Sequence, residues 1–305
     1  MLASVKVKVP ATCANCGPGF DSVGLACTLY NTFSISLIDE PKIFLEAKGE
    51  GEGLLRPSER NFAVKSVRRV LNEAGSQKQG MKIIMENNIP MSRGLGSSSA
   101  AIVGAMIATN ALLDNVFDRE TIFKMATEFE GHPDNVAPAI YGGLTVSFMD
   151  DKHTPHFIRV EPPKDMKMIA VVPDFTLSTK VAREALPKTV SYQDATFNVS
   201  RVALLIASMC SNDLSYLPFA LEDKLHQPYR SKLIPHIDQV FAEAKKAGAL
   251  GSIISGSGST LMAFARKDAN AVEIGRKMCK VFKDNGKNAR YHLLDFDTQG
   301  ARIVE

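Results

Sequence analysis

The chain has 305 residues, enough for two domains, although one large domain would also fit this length. Apolar residues make up 45% of it and charged residues 23%, and the formal net charge of +3 is small. No basic run indicates a nucleic-acid partner, and no apolar run reaches the ~18 residues that a membrane span requires. The composition therefore favours a globular protein that acts on a small molecule, away from nucleic acid and membranes.

Residues 5–9 alternate valine and lysine, which predicts a strand that ends at Pro10 and does not resemble a signal peptide. The five cysteines are an odd number without a disulfide-framework spacing, as is typical of a reducing compartment. Cys13 and Cys16 form a C-x-x-C pair, but a zinc site would need more Cys or His ligands nearby. We therefore expect a cytoplasmic protein in which these two cysteines occupy positions for small or apolar side chains.

Residues 10–25 contain a tight loop around the sequence Gly-Pro-Gly at 17–19. Asn15 and Asp21 flank this bend and offer an amide and a carboxylate to one small space. On the residues alone, an Asx turn that caps its own backbone is the favoured interpretation. Contact with a ligand is the alternative, because loops fixed by a scaffold often carry function.

Alternating patterns predict two strands within residues 31–50, and Asn61 begins a helical pattern that ends at Gly75. A strand at 81–86 then leads into the sequence Pro-Met-Ser-Arg-Gly-Leu-Gly-Ser-Ser-Ser-Ala at 90–100, which enters a helix predicted at 100–113. The start of a helix leaves backbone N–H groups without partners and carries partial positive charge. Glycines allow close approach and serines add hydroxyls, so the segment suits a phosphate chain with magnesium.

Residues 90–100 also have features of three other kinds of segment. A Gly/Ser turn that merely caps a helix agrees with the composition. The P-loop pattern Gly-x-x-x-x-Gly-Lys-Ser/Thr is absent, and Ser99 stands where a dinucleotide fingerprint has its third glycine. We therefore exclude a P-loop NTPase and a Rossmann dehydrogenase.

Polar groups also concentrate where a third helix, predicted from Asp118, reaches residues 128–135. This segment contains Glu128, Glu130, His132, Asp134 and Asn135. A solvated helix end is the simpler interpretation. It does not explain why so many functional groups precede an apolar segment.

The second half of the chain contributes fewer candidates. A polar segment at 150–155 indicates a domain boundary, and strands are predicted at Val160 and at 169–172. Thr179 and Arg183 are four residues apart and share a face if helical. A long apolar helix is predicted at 197–210, and Arg230 follows it. The segment 251–264 is predicted to form a strand, a glycine-rich turn and a second strand. A helix at 269–283 and a strand at 290–296 complete the prediction.

Three of these segments, residues 10–21, 90–100 and 251–264, resemble in this order the three motifs of the GHMP small-molecule kinases. This superfamily includes galactokinase, homoserine kinase, mevalonate kinase and phosphomevalonate kinase. Residues 130–138 are similar to the corresponding segment of the shorter bacterial homoserine kinases. The resemblance therefore extends over most of the chain and is closest to the homoserine kinases.

The sequence departs from these motifs at four positions. Thr12, Cys13 and Cys16 differ from the usual homoserine kinase form of the first motif, and Ser259 replaces the usual proline of the third. The galactokinase and mevalonate kinase relatives carry a lysine in the first motif, and this loop has none. That difference counts against those two activities.

The resemblance implies an α+β GHMP kinase fold. Its N-terminal ATP-binding domain, of the ribosomal S5 domain 2-like type, would span residues 1–152, and a ferredoxin-like C-terminal domain would span 153–305. The implied activity is ATP-dependent phosphorylation of the L-homoserine hydroxyl in threonine biosynthesis, with Mg²⁺ and in a homodimer. A mevalonate-type kinase and a non-catalytic ligand sensor on the same fold are the alternatives.

The resemblance also implies roles for single residues. ATP would contact Asn61, Pro90, Met91, Ser92, Arg93, Gly94, Leu95, Gly96, Ser97, Ser98, Ser99, Ala100, Gly256 and Gly258. Magnesium would be held by Ser98 and Glu130, with Glu128 as the alternative to Glu130. The substrate would contact Asn15, Asp21, Asp134, Asn135, Thr179, Arg183 and Arg230. Catalysis would involve Asp21, Glu130, His132 and Ser98; the base could be Asp21, His132 or Asp134, or no side chain at all.

Overall fold

The protein is described here from a computed structural model that covers residues 4–304. Strands of its first half and the C-terminal strand β11 form a mixed sheet, and among the described strands of this sheet only the pair β3–β4 is parallel. The strand order is β11-β1-β2-β4-β3, with β5 paired to both β2 and β6. The strands are β1 (Val5–Ala14), β2 (Val23–Ile38), β3 (Ile43–Gly49), β4 (Gly80–Asn87), β5 (Leu144–Met149), β6 (Pro155–Val160) and β11 (Arg302–Ile303).

Four helices carry one side of the candidate site. They are α1 (Phe62–Glu73), α2 (Ser97–Leu112), α3 (Arg119–Glu130) and α4 (Pro133–Tyr141). Helices α2 and α4 pack against this sheet, α1 packs on α2, and α3 packs on α2 and α4. Helix α2 is almost entirely buried and packs on α1, β1 and β2. Gly104 is needed there, because a Cβ at this position would lie 2.2 Å from the ring of Phe33.

The second half forms an antiparallel sheet of β7 (Met166–Pro173), β8 (Gly251–Ile254), β9 (Leu261–Arg266) and β10 (Ala289–Leu294). The spatial order β10-β7-β9-β8 is the order of a ferredoxin-like domain, as predicted. Its helices are α5 (Thr179–Glu184), α6 (Tyr192–Ser211), α7 (Leu217–Ala220), α8 (Gln227–Arg230), α9 (Ile237–Lys246) and α10 (Ala271–Asp284).

The second sheet is buried on both faces. Alternate residues such as Met168 and Phe264 belong to the core cluster that includes the first sheet and α2. Their neighbours Ile169 and Ala263 belong to a second cluster with α9 and α10. Because the larger cluster continues from one sheet to the other, the two halves share a hydrophobic core. The cleft between the halves lies beside this shared core.

The structure corrects two expectations about the elements and adds several elements that were not predicted. Strand β1 does not end at Pro10 but continues to Ala14, because a β-bulge between Pro10 and Ala11 accommodates a residue without an N–H. The polar segment at 150–155 is the turn of the β5–β6 hairpin rather than a linker. Helices α4, α7, α8 and α9 and strand β11 were not predicted.

The position of β6 also affects the expected division at residues 152 and 153. Since β6 pairs with β5 in the first sheet, that boundary would divide a hairpin. We propose instead that the division lies between Val160 and Met166, with β11 returning to the first sheet beside β1. In the part of the chain that the structure describes, no helix combines the length and apolar character needed to cross a membrane.

Candidate active site

A cleft of about 740 Å³ lies between the two halves and collects most of the predicted site residues. Those that line it are Asn15, Asp21, Asn61, Met91, Ser92, Arg93, Gly94, Gly96, Ser97, Ser98, Glu130, His132, Asp134, Asn135, Thr179, Arg183, Arg230 and Gly256. Five predicted ATP contacts do not line it, namely Pro90, Leu95, Ser99, Ala100 and Gly258. The side chains of Leu95, Ser99 and Ala100 are fully buried, so these residues shape the loop from behind.

Two glycines give the loop at 90–96 its path. Gly94 and Gly96 both have left-handed backbones, with φ of 76° and 69°. A Cβ on Gly94 would lie 2.1 Å from the carbonyl oxygen of Ser255, and one on Gly96 would lie 1.9 Å from Oγ1 of Thr12. The loop is therefore held closely between the first motif and the turn of the third.

Helix α2 begins at Ser97, three residues before the predicted start at Ala100. No side chain caps its first turn. Backbone N–H groups and the positive end of the helix dipole are therefore available where the glycine loop enters the helix. This arrangement suits the binding of an anion such as phosphate.

Glu130 faces the first turn of α2. Its Oε1 accepts hydrogen bonds from the hydroxyls of Ser98, at 2.8 Å, and Ser99, at 2.9 Å. Glu128 instead accepts from Arg69 at 3.0 Å, and its side chain is 55% exposed. Of the two glutamates, only Glu130 lies where a carboxylate and a serine hydroxyl could share one cation.

The start of α4 places a histidine, a carboxylate and an amide side chain next to Glu130. His132 Nδ1 lies 2.5 Å from Oδ1 of Asp134, and Oδ1 of Asn135 accepts from the Thr12 hydroxyl at 2.7 Å. Burial lowers the pKa of His132, but the hydrogen bond and negative charge of Asp134 outweigh it, so the pKa is raised overall. His132 is thus biased towards its protonated form when Asp134 is ionised.

Asp21 and Arg183 form a bidentate ion pair across the cleft. Both carboxylate oxygens of Asp21 accept from the guanidinium, at 3.0 Å and 2.9 Å. This pairing raises the pKa of Arg183. The ligand atoms of Asp21, His132 and Asp134 lie within 4.8 Å of one another, so this ion pair lies directly beside the His132–Asp134 pair.

Asn15 joins the first motif to the third. Its Nδ2 donates to the carbonyl of Gly256 at 2.8 Å, and its Oδ1 accepts from the backbone N–H of Asp21 at 3.0 Å. Gly256 N–H donates back to Ala14 at 3.1 Å. The glycine turn therefore contacts the first loop, and Asn15 combines a turn-forming bond with a contact between the two halves.

Arg230 is only 2% exposed, yet it borders the cleft. Its Nη1 donates to Gly256 at 3.0 Å and its Nε to Ala182 at 3.2 Å. Burial lowers the pKa of Arg230, and the nearby positive charge of Arg183 lowers it further. Both guanidinium groups face the ring of Phe20, at 5.1 Å for Arg230 and 5.7 Å for Arg183.

Two other predicted contacts have local partners. Asn61 caps α1, its Oδ1 accepting from the N–H of Ala63 at 2.9 Å, and it also borders the cleft. Thr179 begins α5, and its hydroxyl lies 3.4 Å from that of Ser257. Asn61 is therefore the N-cap of α1, while its contact with a nucleotide stays a prediction.

Two protein-family models match the chain. The model "GHMP kinases N terminal domain" matches residues 61–143, and the model "GHMP kinases C terminal" matches residues 197–284. Homoserine kinase of Moorella thermoacetica is 44% identical over 298 residues, 98% of this chain and 99% of the relative. Homoserine kinase of Persephonella marina is 40% identical over 299 residues, 98% of each chain. The chain belongs to the homoserine kinase family of GHMP kinases.

Solved structures agree with this family at the level of the fold. The crystal structure of homoserine kinase from Cytophaga hutchinsonii has a TM-score of 0.90 at 31% identity and covers 100% of this chain and 98% of that one. L. major mevalonate kinase has a TM-score of 0.73 at 16% identity, over 96% of each chain, a likeness that concerns the fold alone. The predicted α+β GHMP kinase fold is thus confirmed.

Some features of this GHMP kinase site were missed from the sequence. Phe20 lies inside the first motif, directly before Asp21, and its ring faces both arginines. Ser99 bonds to Glu130, although it was expected only as a contact to ATP. The pairing of Asp21 with Arg183 joins residues 162 positions apart, so no local pattern could predict it.

Proposed function

We propose that this chain is a homoserine kinase that transfers the γ-phosphoryl group of ATP to the hydroxyl of L-homoserine, forming O-phospho-L-homoserine in threonine biosynthesis. One observation carries the proposal. The same cleft joins a glycine loop at the start of a helix to a pocket with two arginines and two acids. The first part suits a nucleotide phosphate chain, and the second suits a small zwitterion.

The nucleotide end depends on the loop at 90–96 and on the first turn of α2. Its backbone N–H groups would bind phosphate oxygens, and Gly94 and Gly96 let those oxygens approach the backbone. Asn61 borders the same cleft on the side of α1. We propose that this side receives the nucleoside.

Magnesium fits the residues present. Ser98 and Glu130 supply a hydroxyl and a carboxylate 2.8 Å apart, which are the hard oxygen ligands that Mg²⁺ prefers. These two residues would hold the ion beside the phosphates, and Glu128 lies too far towards the solvent side of α3 to share it. When bound, the ion would neutralise charge on the transferring phosphoryl oxygens.

The substrate end matches an α-amino acid with a side-chain hydroxyl. Arg230 and Arg183 would bind the carboxylate, because guanidinium groups match carboxylates in shape and charge. Asp21, Asp134, Asn15 and Asn135 border the same space and would orient the ammonium and the hydroxyl. Asp21 already holds Arg183 with both oxygens, so the incoming zwitterion would share or replace part of that ion pair.

Phosphoryl transfer depends mainly on in-line positioning and on neutralising oxygen charge. A side chain that accepts the hydroxyl proton would be Asp21, His132 or Asp134, but both oxygens of Asp21 are occupied by Arg183, and the contact with Asp134 biases His132 towards its protonated form. Direct loss of the proton to the phosphate requires no side chain. In either case the chain's main task is to hold the hydroxyl and the phosphate chain in line.

The alternatives are weaker. A mevalonate-type kinase would need the lysine that the first motif lacks, and would have little use for two arginines beside two acids. A non-catalytic sensor would predict a damaged phosphate loop or a missing acidic ligand, whereas Ser98 and Glu130 contact each other directly. The homodimer and the cytoplasmic location expected from the sequence stay predictions.

The first test measures ADP release from ATP and magnesium with L-homoserine, mevalonate and galactose in parallel. We expect turnover on L-homoserine alone. Arg183→Gln should raise KM for L-homoserine and leave KM for ATP unchanged. Arg201→Gln is the matched control, since Arg201 bonds to Glu222 rather than lining the cleft. No turnover on any acceptor, with ATP still bound, would contradict the proposal.

A further inference from the structure

His226 lies behind the substrate end of the cleft and contacts both halves of the chain. It is fully buried and directly precedes α8. Its Nε2 lies 2.7 Å from the carbonyl oxygen of Gly17, and its Nδ1 lies 3.3 Å from Nη1 of Arg230. Its ring stacks on Phe20 at 5.3 Å, so it also supports the aromatic face beneath the two arginines.

The partners of His226 fix its tautomer. A carbonyl oxygen only accepts hydrogen bonds, so Nε2 must carry the hydrogen that points to Gly17. A guanidinium only donates, so Nδ1 must be the unprotonated acceptor for Arg230. Burial lowers the pKa of His226, in agreement with this neutral form. The imidazole therefore works as a bridge with one defined end for each half of the chain.

A buried acid and an amide keep the bridge in place. Asp223 Oδ2 accepts from the backbone N–H groups of His226, at 2.9 Å, and Gln227, at 2.6 Å. Asn198 Nδ2 donates to Oδ1 of Asp223 at 3.0 Å and to the carbonyl of Pro18 at 3.1 Å. Two successive carbonyls of the first loop, those of Gly17 and Pro18, are thus held by the second half of the chain.

We propose that His226 is a positioning residue for the amino-acid substrate, acting through Arg230 and through the loop that carries Asn15 and Asp21. This inference rests on the proposed function, because the proposed function assigns Arg230 to the substrate carboxylate. His226 lines no part of the cleft itself. Its effect is to fix the direction of the Arg230 guanidinium and the distance between that group and the first loop.

Two substitutions separate the ends of the bridge. His226→Gln places an amide N–H near the position of Nε2, which keeps the bond to Gly17 and removes the acceptor for Arg230. His226→Asn places an amide oxygen near the position of Nδ1, which keeps the acceptor and removes the bond to Gly17. We expect His226→Gln to raise KM for L-homoserine by about 10-fold or more, since it removes a hydrogen bond to a charged group. KM for ATP should not change.

A substrate without a carboxylate reveals whether His226 acts through Arg230. We would compare kcat/KM for L-homoserine and for 3-amino-1-propanol in wild type, both variants and the control His153→Asn. His153 is exposed and has a positive φ of 57°, which asparagine tolerates. His226→Gln should reduce kcat/KM for L-homoserine alone, whereas His226→Asn should affect both compounds, because the first loop serves both.

A ¹⁵N spectrum of the wild-type histidines adds a test that needs no variant. It should show His226 with Nε2 protonated and Nδ1 unprotonated. The inference is overturned if Nδ1 carries the hydrogen, if His226→Gln leaves KM for L-homoserine unchanged, or if it raises KM for ATP equally. Failure of the wild type to phosphorylate L-homoserine would instead overturn the proposed function and this inference with it.

Discussion

Glu130→Gln removes one negative charge from the proposed magnesium site and changes little else. The amide oxygen of glutamine can still accept a hydrogen bond from Ser98 or Ser99, which now lie 2.8 Å and 2.9 Å from Oε1. The fold around the start of α2 should therefore persist. What the variant loses is the anionic ligand, and with it the neutralisation of phosphate charge during transfer.

The size of the effect follows from that role. Loss of one preorganised electrostatic contact in the transition state typically costs about 2.7–4 kcal/mol, or ~100- to 1000-fold in kcat. The magnesium concentration at half-maximal rate should rise as well, because one of the two protein ligands is weakened. Steady-state ADP release as a function of magnesium measures both quantities in one series.

Glu128→Gln is the matched control. Glu128 lies two residues earlier on the same helix, and its 55% exposed side chain pairs with Arg69 at the surface. Surface ion pairs contribute about 0–1 kcal/mol, so this variant should lose almost no activity and little thermal stability. If Glu130→Gln kept its turnover within a few-fold of wild type, or if Glu128→Gln lost as much, Glu130 would not be the ligand.

Three further outcomes are expected. Ser98→Ala should lower kcat ~100- to 1000-fold, and a variant with full turnover would remove Ser98 from the mechanism. Gly94→Ala should lower the free energy of unfolding by more than ~2 kcal/mol in a denaturant titration, because its φ is 76° and a Cβ would meet Ser255. Gly75→Ala is the control in the same titration. Gly75 has a φ of 63° but open space around it, so this variant should lower the free energy of unfolding by only about 1 kcal/mol. Disulfide-exchange reagent at pH 8 should modify Cys210 rapidly and leave Cys13, Cys16 and Cys27 unmodified until the protein unfolds, because burial raises their thiol pKa, to about 12 for Cys13. Rapid modification of three or more thiols in the native state would contradict this burial, because Cys210 and Cys279 are the two cysteines outside the buried set.

The sequence predicted the elements around the cleft better than the contacts within it. Helix α1 and strand β4 were predicted within a residue or two, because their apolar periodicity and flanking polar or glycine residues are local signals. The predicted end of β1 at Pro10 was wrong, because a β-bulge next to Pro10 lets the strand continue past a residue that has no N–H. The polar segment at 150–155 has the composition of a linker and of a hairpin turn alike, and only the pairing of β5 with β6 distinguishes them.

The candidate residues were found through motif resemblance, but their partners were not. Asp21 and Arg183 were each assigned to the substrate, and nothing in the sequence indicates that they bind each other. The choice between Glu130 and Glu128 was open for the same reason. Both lie near the end of one helix, and their directions depend on how α3 packs against α2 and α4, which is a property of the folded core.

Gly256 explains why the site needs the whole chain. Its N–H donates to Ala14, and its carbonyl accepts from Asn15 and Arg230. One residue of the third motif therefore fixes the first motif and the buried arginine at the same time. A side chain at Gly256 would approach Gly94 of the central loop, at 3.2 Å from its carbonyl oxygen, so close packing of all three segments requires a glycine here. Each motif alone is an ordinary turn, and the chemistry arises only where the shared core brings the three turns into contact.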